Sequence, residues 1–323
     1  MRGFLCAYLV ALFSLTASCL SLGLDPRARA ERELRRHVHG QLERILGADT
    51  RHYSIALRDD VSGFRVRIDS RRSYPSASTM KIAVMMAVYR LAQRGELELD
   101  EQIYIHNNFY SVVDGSPYEV PPERIRSCPY RTYKRMGRTM SLRELCADMI
   151  QSSSNLATNL LLERVGVERI QRELERMQIR GTRIIRGLYD ELAFERDWHN
   201  RLTARSVEDT LYALERADLF RPELRREMLD VMANTCHKHR YRIPAYLPPG
   251  SVVAQKGGTT DGVLHDAGII YPERQRPFIL VILTEGYSSR GQVDDRMAFA
   301  SRYLYDTVLE LRRRRARELA APR

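Results

Sequence analysis

Residues 79–92 read Thr-Met-Lys-Ile-Ala-Val-Met-Met-Ala-Val-Tyr-Arg-Leu-Ala, and Ile82, Val84, Met85, Met86, Val88 and Leu91 fall on all sides of a helix. A helix apolar all round has no face to give to water, so it belongs inside a core with other elements around it. That demands a large layered fold, and 323 residues suffice for one large domain or two intimately packed subdomains. The charged residues of the run are Lys81, at its start, and Arg90, near its end.

The flanking sequence supplies the layers. Leu34, Val38, Leu42, Ile45 and Leu46 recur at helical spacing over residues 26–47 and predict an amphipathic helix. Tyr53, Ile55 and Leu57 alternate, as do Phe64, Val66 and Ile68, and the turn residues Asp59 to Gly63 between them predict a β-hairpin. Ser141 to Val165, Ala204 to Arg216 and Glu223 to Met232 read as helices, whereas Asp100 to Gly137 is aromatic and proline-bearing with little periodicity. Arg186 to Arg201 reads as an ordered surface loop. Strands follow at Ser251 to Lys256, Ala267 to Tyr271 and Pro277 to Thr284, then a helix over Asp294 to Arg313 with Met297, Leu304, Val308 and Leu311 inward. Short connections make the strands antiparallel. The order predicts a discontinuous α/β (α+β) part, residues 25–77 and 250–323, around an all-α part, residues 78–249.

The N-terminus reads as an export signal over residues 1–18. Arg2 gives a positive start, Phe4 to Phe13 is mostly apolar but too short to span a bilayer, and small residues follow. Leu15 to Cys19 is an imperfect lipobox, so anchoring to a membrane through an acylated Cys19 stands beside ordinary cleavage nearby. Cys128, Cys146 and Cys236 cannot all pair with one another and do not make a disulfide framework. Cys236-His237-Lys238-His239 looks ligand-rich, yet no second cluster completes a metal site, and the expectation is no metal and no cofactor. The formal charge is +11, but export and arginines scattered without interleaved aromatics argue against nucleic acid as a partner. The run Arg312 to Arg315 complements the dipole of a helix end.

Only four lysines occur among 52 basic residues, so their placement is informative. Lys81 closes Ser78-Thr79-Met80-Lys81, and Lys256 opens Lys256-Gly257-Gly258-Thr259, with Ser153-Ser154-Asn155 between them. Residues three apart on a helix share a face, so Lys81 can reach the Ser78 hydroxyl. A serine needs a neighbouring base to become a nucleophile, and a lysine serves if burial and other cations bring its pKa toward neutrality. These three motifs, in this order, resemble those of class A serine β-lactamases and penicillin-binding proteins, with the second and third altered.

The resemblance covers residues 30–313. It implies a β-lactamase/transpeptidase-like fold, with an antiparallel five-stranded sheet flanked by terminal helices and an all-α subdomain. It also implies a monomer whose partner is a small β-lactam or a peptidoglycan peptide. By the same resemblance Ser78 is the nucleophile, Lys81 its base, Ser153 the relay to the departing nitrogen, and Lys256 the anchor for the substrate carboxylate. The backbone N–H groups of Ser78 and Thr259 would form the oxyanion hole. Asn155, Gly258, Thr259 and His265 would bind substrate. Gly257 stands where the motif has a hydroxyl residue, and Ser154 where it commonly has aspartate. Class A enzymes activate the hydrolytic water with a loop glutamate. Here the family's interval lands on Tyr189, a poor base, leaving Asp190 or Glu191 beside it as the candidate. The resulting expectation is an exported class A-type hydrolase acting through a Ser78 acyl-enzyme. The alternatives are a D,D-peptidase-like cell-wall enzyme and a non-catalytic penicillin-recognising lipoprotein.

Overall fold

The structure is a computed structural model that describes residues 26–47, 50–122, 131–216, 218–236 and 241–320. The expected signal segment, Cys19, Cys128 and His237 to His239 lie outside the described residues. Contacts divide the chain at Gln41/Leu42, and the unit from Leu42 onward holds the candidate site.

In chain order the elements begin with helix α1 (Pro26–Leu46), then strands β1 (Thr50–Arg58), β2 (Arg65–Ile68) and β3 (Ser73–Pro75). A 3-10 turn over Ala77–Met80 runs straight into α2 (Lys81–Gln93). The short strands β4 (Gln102–Tyr104), β5 (Phe109–Tyr110), β6 (Pro117–Tyr118) and β7 (Thr139–Ser141) precede α3 (Leu142–Gln151), α4 (Asn155–Val165) and α5 (Val167–Arg176). Next come α6 (Glu191–Glu195), β8 (Arg201–Thr203), α7 (Ala204–Glu215) and α8 (Pro222–Ala233). The chain closes with β9 (Val252–Thr260), β10 (Val263–Tyr271), β11 (Phe278–Tyr287) and α9 (Arg290–Ala320).

The main sheet is antiparallel, with five strands in the order β2-β1-β11-β10-β9. Alternation in β1 predicted one apolar face, yet Ser54 and Ala56 are buried along with Ile55 and Leu57. Both faces are therefore covered: α7 packs on β1, β10 and β11, and α9 on β10 and β11. Strand β9 runs four residues beyond the expected end at Lys256, through Gly257-Gly258-Thr259-Thr260. Glycine weakens a strand on its own, but β10 pairs each of these residues, from Gly257↔Asp266 to Thr260↔Val263.

Helix α2 is buried as its composition requires, every residue except Arg90, Ala92 and Gln93 lying inside. It contacts α3, α4, α5, α7 and α8. The aromatic segment 100–137, which showed little periodicity, contains β4 to β6. Two- and three-residue strands are too short to display a period. The loop expected over 186–201 is ordered and includes the single-turn helix α6. Cys236 is disulfide-bonded, and Cys146 is a buried free thiol.

The β1–β2 turn is pinned to α9 by a buried ion pair, Arg312 Nη2 to Asp59 Oδ1 at 2.6 Å. Burial pushes the Asp59 carboxyl up, but hydrogen bonds from Arg312 and Ser62 outweigh it and hold the group below its ordinary value. Arg312→Met should lower the unfolding free energy at pH 7 by about 3 kcal/mol, because the carboxylate then stays buried without its cation. A depressed carboxylate contributes stability above its unfolded pKa and loses it as pH falls through the folded value. The gap between the two proteins in urea denaturation should therefore narrow on acidification below the unfolded value of 3.8.

Candidate active site

The candidate nucleophile is presented by strain at its own doorstep. β3 pairs with β8, and Ser76 N donates to Asn200 O at 2.8 Å, so the chain reaches Ala77 with little freedom. Ala77 then adopts φ +44°, a left-handed conformation that costs an L-residue about 1–3 kcal/mol and persists only where the surroundings enforce it. The 3-10 turn that follows leaves Ser78 half-buried at the mouth of the buried helix. Lys81 lies one turn further in and is fully buried.

Three consecutive serines have three different jobs. Ser152 Oγ donates back to Asp148 O at 2.8 Å, closing the end of α3. Ser154 caps α4, its Oγ accepting from Ala157 N at 3.2 Å. A short polar N-cap is what this position needs, and serine meets that need as an aspartate would. Ser153 lies between the helices at φ +64°, and its polar atoms point to the lysines. Lys81 Nζ donates to Ser153 O at 2.5 Å, to Asn155 Oδ1 at 2.7 Å and, at 3.4 Å, to Ser153 Oγ. Lys256 Nζ donates to the same Oγ at 3.0 Å and to Gly257 O at 2.9 Å. Side chains from residues 81, 153, 155 and 256 thus meet in one place.

Strand β9 forms the opposite wall. A Cβ on Gly258 would lie 2.6 Å from Thr79 Oγ1, 3.0 Å from Ala77 Cβ and 3.1 Å from Ser78 N, so only glycine lets the strand approach the nucleophile turn this closely. A Cβ on Gly257 would lie 3.0 Å from Arg242 Nη1. The space that a hydroxyl residue would use at 257 is filled by a guanidinium from elsewhere in the chain. Arg242, which the sequence reading did not single out, is buried. Its Nε donates to Asp294 Oδ1 at 2.6 Å, Nη1 to His265 O at 2.8 Å and Nη2 to Thr259 Oγ1 at 2.6 Å. A hydroxyl that accepts from a guanidinium keeps its own proton to donate, and Thr259 is exposed at the strand end.

His265 is not at the surface, correcting its expected contact with substrate. It is wholly buried, its Nε2 2.9 Å from Pro75 O and its ring edge-on to Tyr74. A carbonyl only accepts, so Nε2 carries the proton. Burial pushes the imidazole pKa down to about 4. The residue ties β10 to the segment that leads into Ser78. Beside it, burial raises Asp266 to about 6, opposed by the nearby Arg242.

The loop that was expected to carry a water-activating carboxylate is organised differently. Asn159, one turn after Asn155 on α4, grips the loop with its amide: Leu188 N donates to Oδ1 at 2.7 Å, and Nδ2 donates to Leu188 O at 2.9 Å. The residue held there is apolar and packs on the core. Tyr189 is exposed with φ +65°. Asp190 is buried: Oδ1 accepts from Ser111 Oγ at 2.8 Å and Ala193 N at 3.2 Å, and Oδ2 from Val112 N at 3.0 Å. It is a helix cap and an anchor, accepting three hydrogen bonds. Glu191 is exposed as the first residue of α6. The hydrogen bonds of Asp190 go to Ser111, Val112 and Ala193.

The model of the Beta-lactamase enzyme family matches residues 38–308. A β-lactamase of Streptomyces albus G is 26% identical over 283 residues, covering 83% of this chain and 82% of its own. A carbapenem-hydrolysing β-lactamase KPC of Klebsiella oxytoca is 26% identical over 275 residues, covering 83% of this chain and 86% of its own. Among solved structures, an ancestral class A β-lactamase matches with TM-score 0.71 at 25% identity, covering 84% of this chain and 99% of its own. PBP-A matches with TM-score 0.72 at 18% identity, over 85% of this chain and 96% of its own, a likeness of fold.

The buried imidazole generates a pH prediction. Its folded pKa lies below the unfolded 6.5, so the unfolded chain binds the extra proton first as pH falls. Stability from His265 is then full above pH 6.5 and drains away toward about 4. His265→Gln keeps a donor for Pro75 O without titrating. Between these pH values the wild type should lose on the order of 2–3 kcal/mol relative to the variant in chemical denaturation.

Proposed function

Because the chain belongs to the β-lactamase enzyme family, we propose that it opens β-lactams through an acyl-enzyme on Ser78, with release of that acyl group as the slow step. The observation that carries this reading is the single hydroxyl of Ser153 receiving hydrogen bonds from both Lys81 and Lys256. Such an arrangement suits proton transfer. Ser78 Oγ attacks the lactam carbonyl and gives up its proton to Lys81 acting as the neutral amine, and Ser153 delivers its proton to the ring nitrogen as the C–N bond breaks. Lys81 and Lys256 then share in returning a proton to Ser153.

The backbone N–H groups of Ser78 and Thr259 bind the oxyanion, each worth about 3 kcal/mol of barrier lowering in comparable sites. The close approach of β9 to Ser78 N at Gly258 supports that pairing. Lys256 and the Thr259 hydroxyl, backed by Arg242, hold the substrate carboxylate. Asn155 and Gly258 line the place of its amide side chain. Deacylation is slow because the loop offers no poised carboxylate, Asp190 being sequestered and Glu191 exposed. The same feature favours a second reading, a D,D-peptidase-like enzyme that acylates on peptides ending in a carboxylate and is trapped by penicillins. Both readings place the protein outside the cytoplasm, where the disulfide at Cys236 persists. Export through residues 1–18 and lipidation of Cys19 complete the proposal.

A fluorescent penicillin should label the protein one-to-one and persist, with nitrocefin turned over slowly after a stoichiometric burst. Absence of label on folded protein, or labelling of Ser78→Ala at the wild-type rate, would refute the proposal. Rapid multiple turnover would refute slow release. Gly258→Ala should slow acylation by about a hundredfold or more by displacing β9 from the oxyanion position. Glu191→Gln should leave the release rate unchanged.

A further inference from the structure

The hairpin formed by β5 and β6 lies within the segment that carried no sequence signal, and it reaches the loop in two places. Its strands pair Phe109↔Tyr118 and Tyr110↔Pro117, and Ser111 N donates to Ser116 O at 2.8 Å to close the turn. At its base, Asn107 Nδ2 donates to Val120 O at 2.9 Å and Val120 N to Asn107 Oδ1 at 2.8 Å. The hairpin is therefore braced from behind.

The first contact is with Asp190. Both carboxylate oxygens are engaged by the hairpin, through the Ser111 hydroxyl at 2.8 Å and the Val112 amide at 3.0 Å. Ser111 and Asp190 are both buried, so these bonds are not exchanged freely with water. The second contact is Tyr118. Its hydroxyl lies 3.4 Å from Asn159 Nδ2 and only 2.2 Å from where a Gly187 Cβ would be. The phenol thus fills the gap between the loop and α4. Asn159 holds Leu188 with both amide atoms, and Asn155, one turn earlier on α4, holds Lys81. Contacts run without a break from the hairpin through the loop to the lysine cluster.

A loop without a poised base cannot help an incoming water, and its remaining influence on the ester is to admit or exclude water. Leu188 packs on the core, and Tyr118 fills the gap beside it. We propose that the hairpin at residues 109–118 is a strap that holds the 186–198 loop shut through Ser111–Asp190 and Tyr118–Asn159. It thereby shields the Ser78 acyl-enzyme from hydrolysis. Ser111 and Tyr118 are positioning residues, since neither touches the reacting atoms. The inference rests on the slow release proposed above.

The test measures acylation and release separately for wild type, Ser111→Ala, Ser111→Thr and Tyr118→Phe, using fluorescent penicillin and then removing excess label. Ser111→Ala should acylate at the wild-type rate but release about tenfold faster, the change that about 1.4 kcal/mol produces. Ser111→Thr, which keeps the hydroxyl, should restore slow release, and Tyr118→Phe should release faster than wild type. If Ser111→Ala does not melt cooperatively, Tyr118→Phe with Ser111→Thr as control decides. Release at or below the wild-type rate in the folded variants would overturn the strap while leaving slow release intact. Failure of folded wild type to take label would instead overturn the acyl-enzyme reading, and the strap with it.

Discussion

Two lysine side chains converge on one hydroxyl, and the surrounding structure is arranged to hold them there. Lys81 is fully buried, and a buried polar group is costly unless partners surround it. The Ser153 carbonyl and the Asn155 amide oxygen supply those partners, and they sit where they do because the chain turns left-handed between α3 and α4. The second lysine arrives on β9, which can come close only because Gly258 has no side chain. Helix packing, an unfavourable backbone angle and a bare strand segment all serve the same few cubic ångströms.

Much of this was legible in the sequence where residue identity alone carries the signal. A helix apolar on all sides must be central, and a lysine at its entrance must have a reason to be there. Lys81 and Lys256 stood out because lysine is scarce among so many basic residues. The strands and helices around the core followed from period and turn residues, with ends missed where pairing overrode local propensity, as at Gly257 and Gly258.

What stayed hidden depends on partners distant in sequence. Arg242 is one arginine among 48 and lies in an unpatterned segment, so nothing local announces it. The missing hydroxyl at 257 was the only hint that something else occupies that space. Asp190 sits directly before α6 and could have been recognised as a helix cap. Its engagement by Ser111 and Val112 joins residues almost eighty positions apart, which no spacing rule reveals. The substrate contact of His265 was implied by the resemblance, which assigns a position in a motif and does not say whether the side chain there is covered.

The exchange between Arg242 and Gly257 also constrains how this lineage can change. A serine or threonine at 257 would place its Cβ 3.0 Å from Arg242 Nη1, which already donates to Gly258 O and His265 O, while Nη2 and Nε of the same guanidinium hold Thr259 and Asp294. Losing the arginine first would leave Asp294 with only its longer contact to Arg290, at 3.8 Å, and would take away the donor to Thr259. A side chain at 257 and the Arg242 guanidinium therefore compete for the same volume beside the strand.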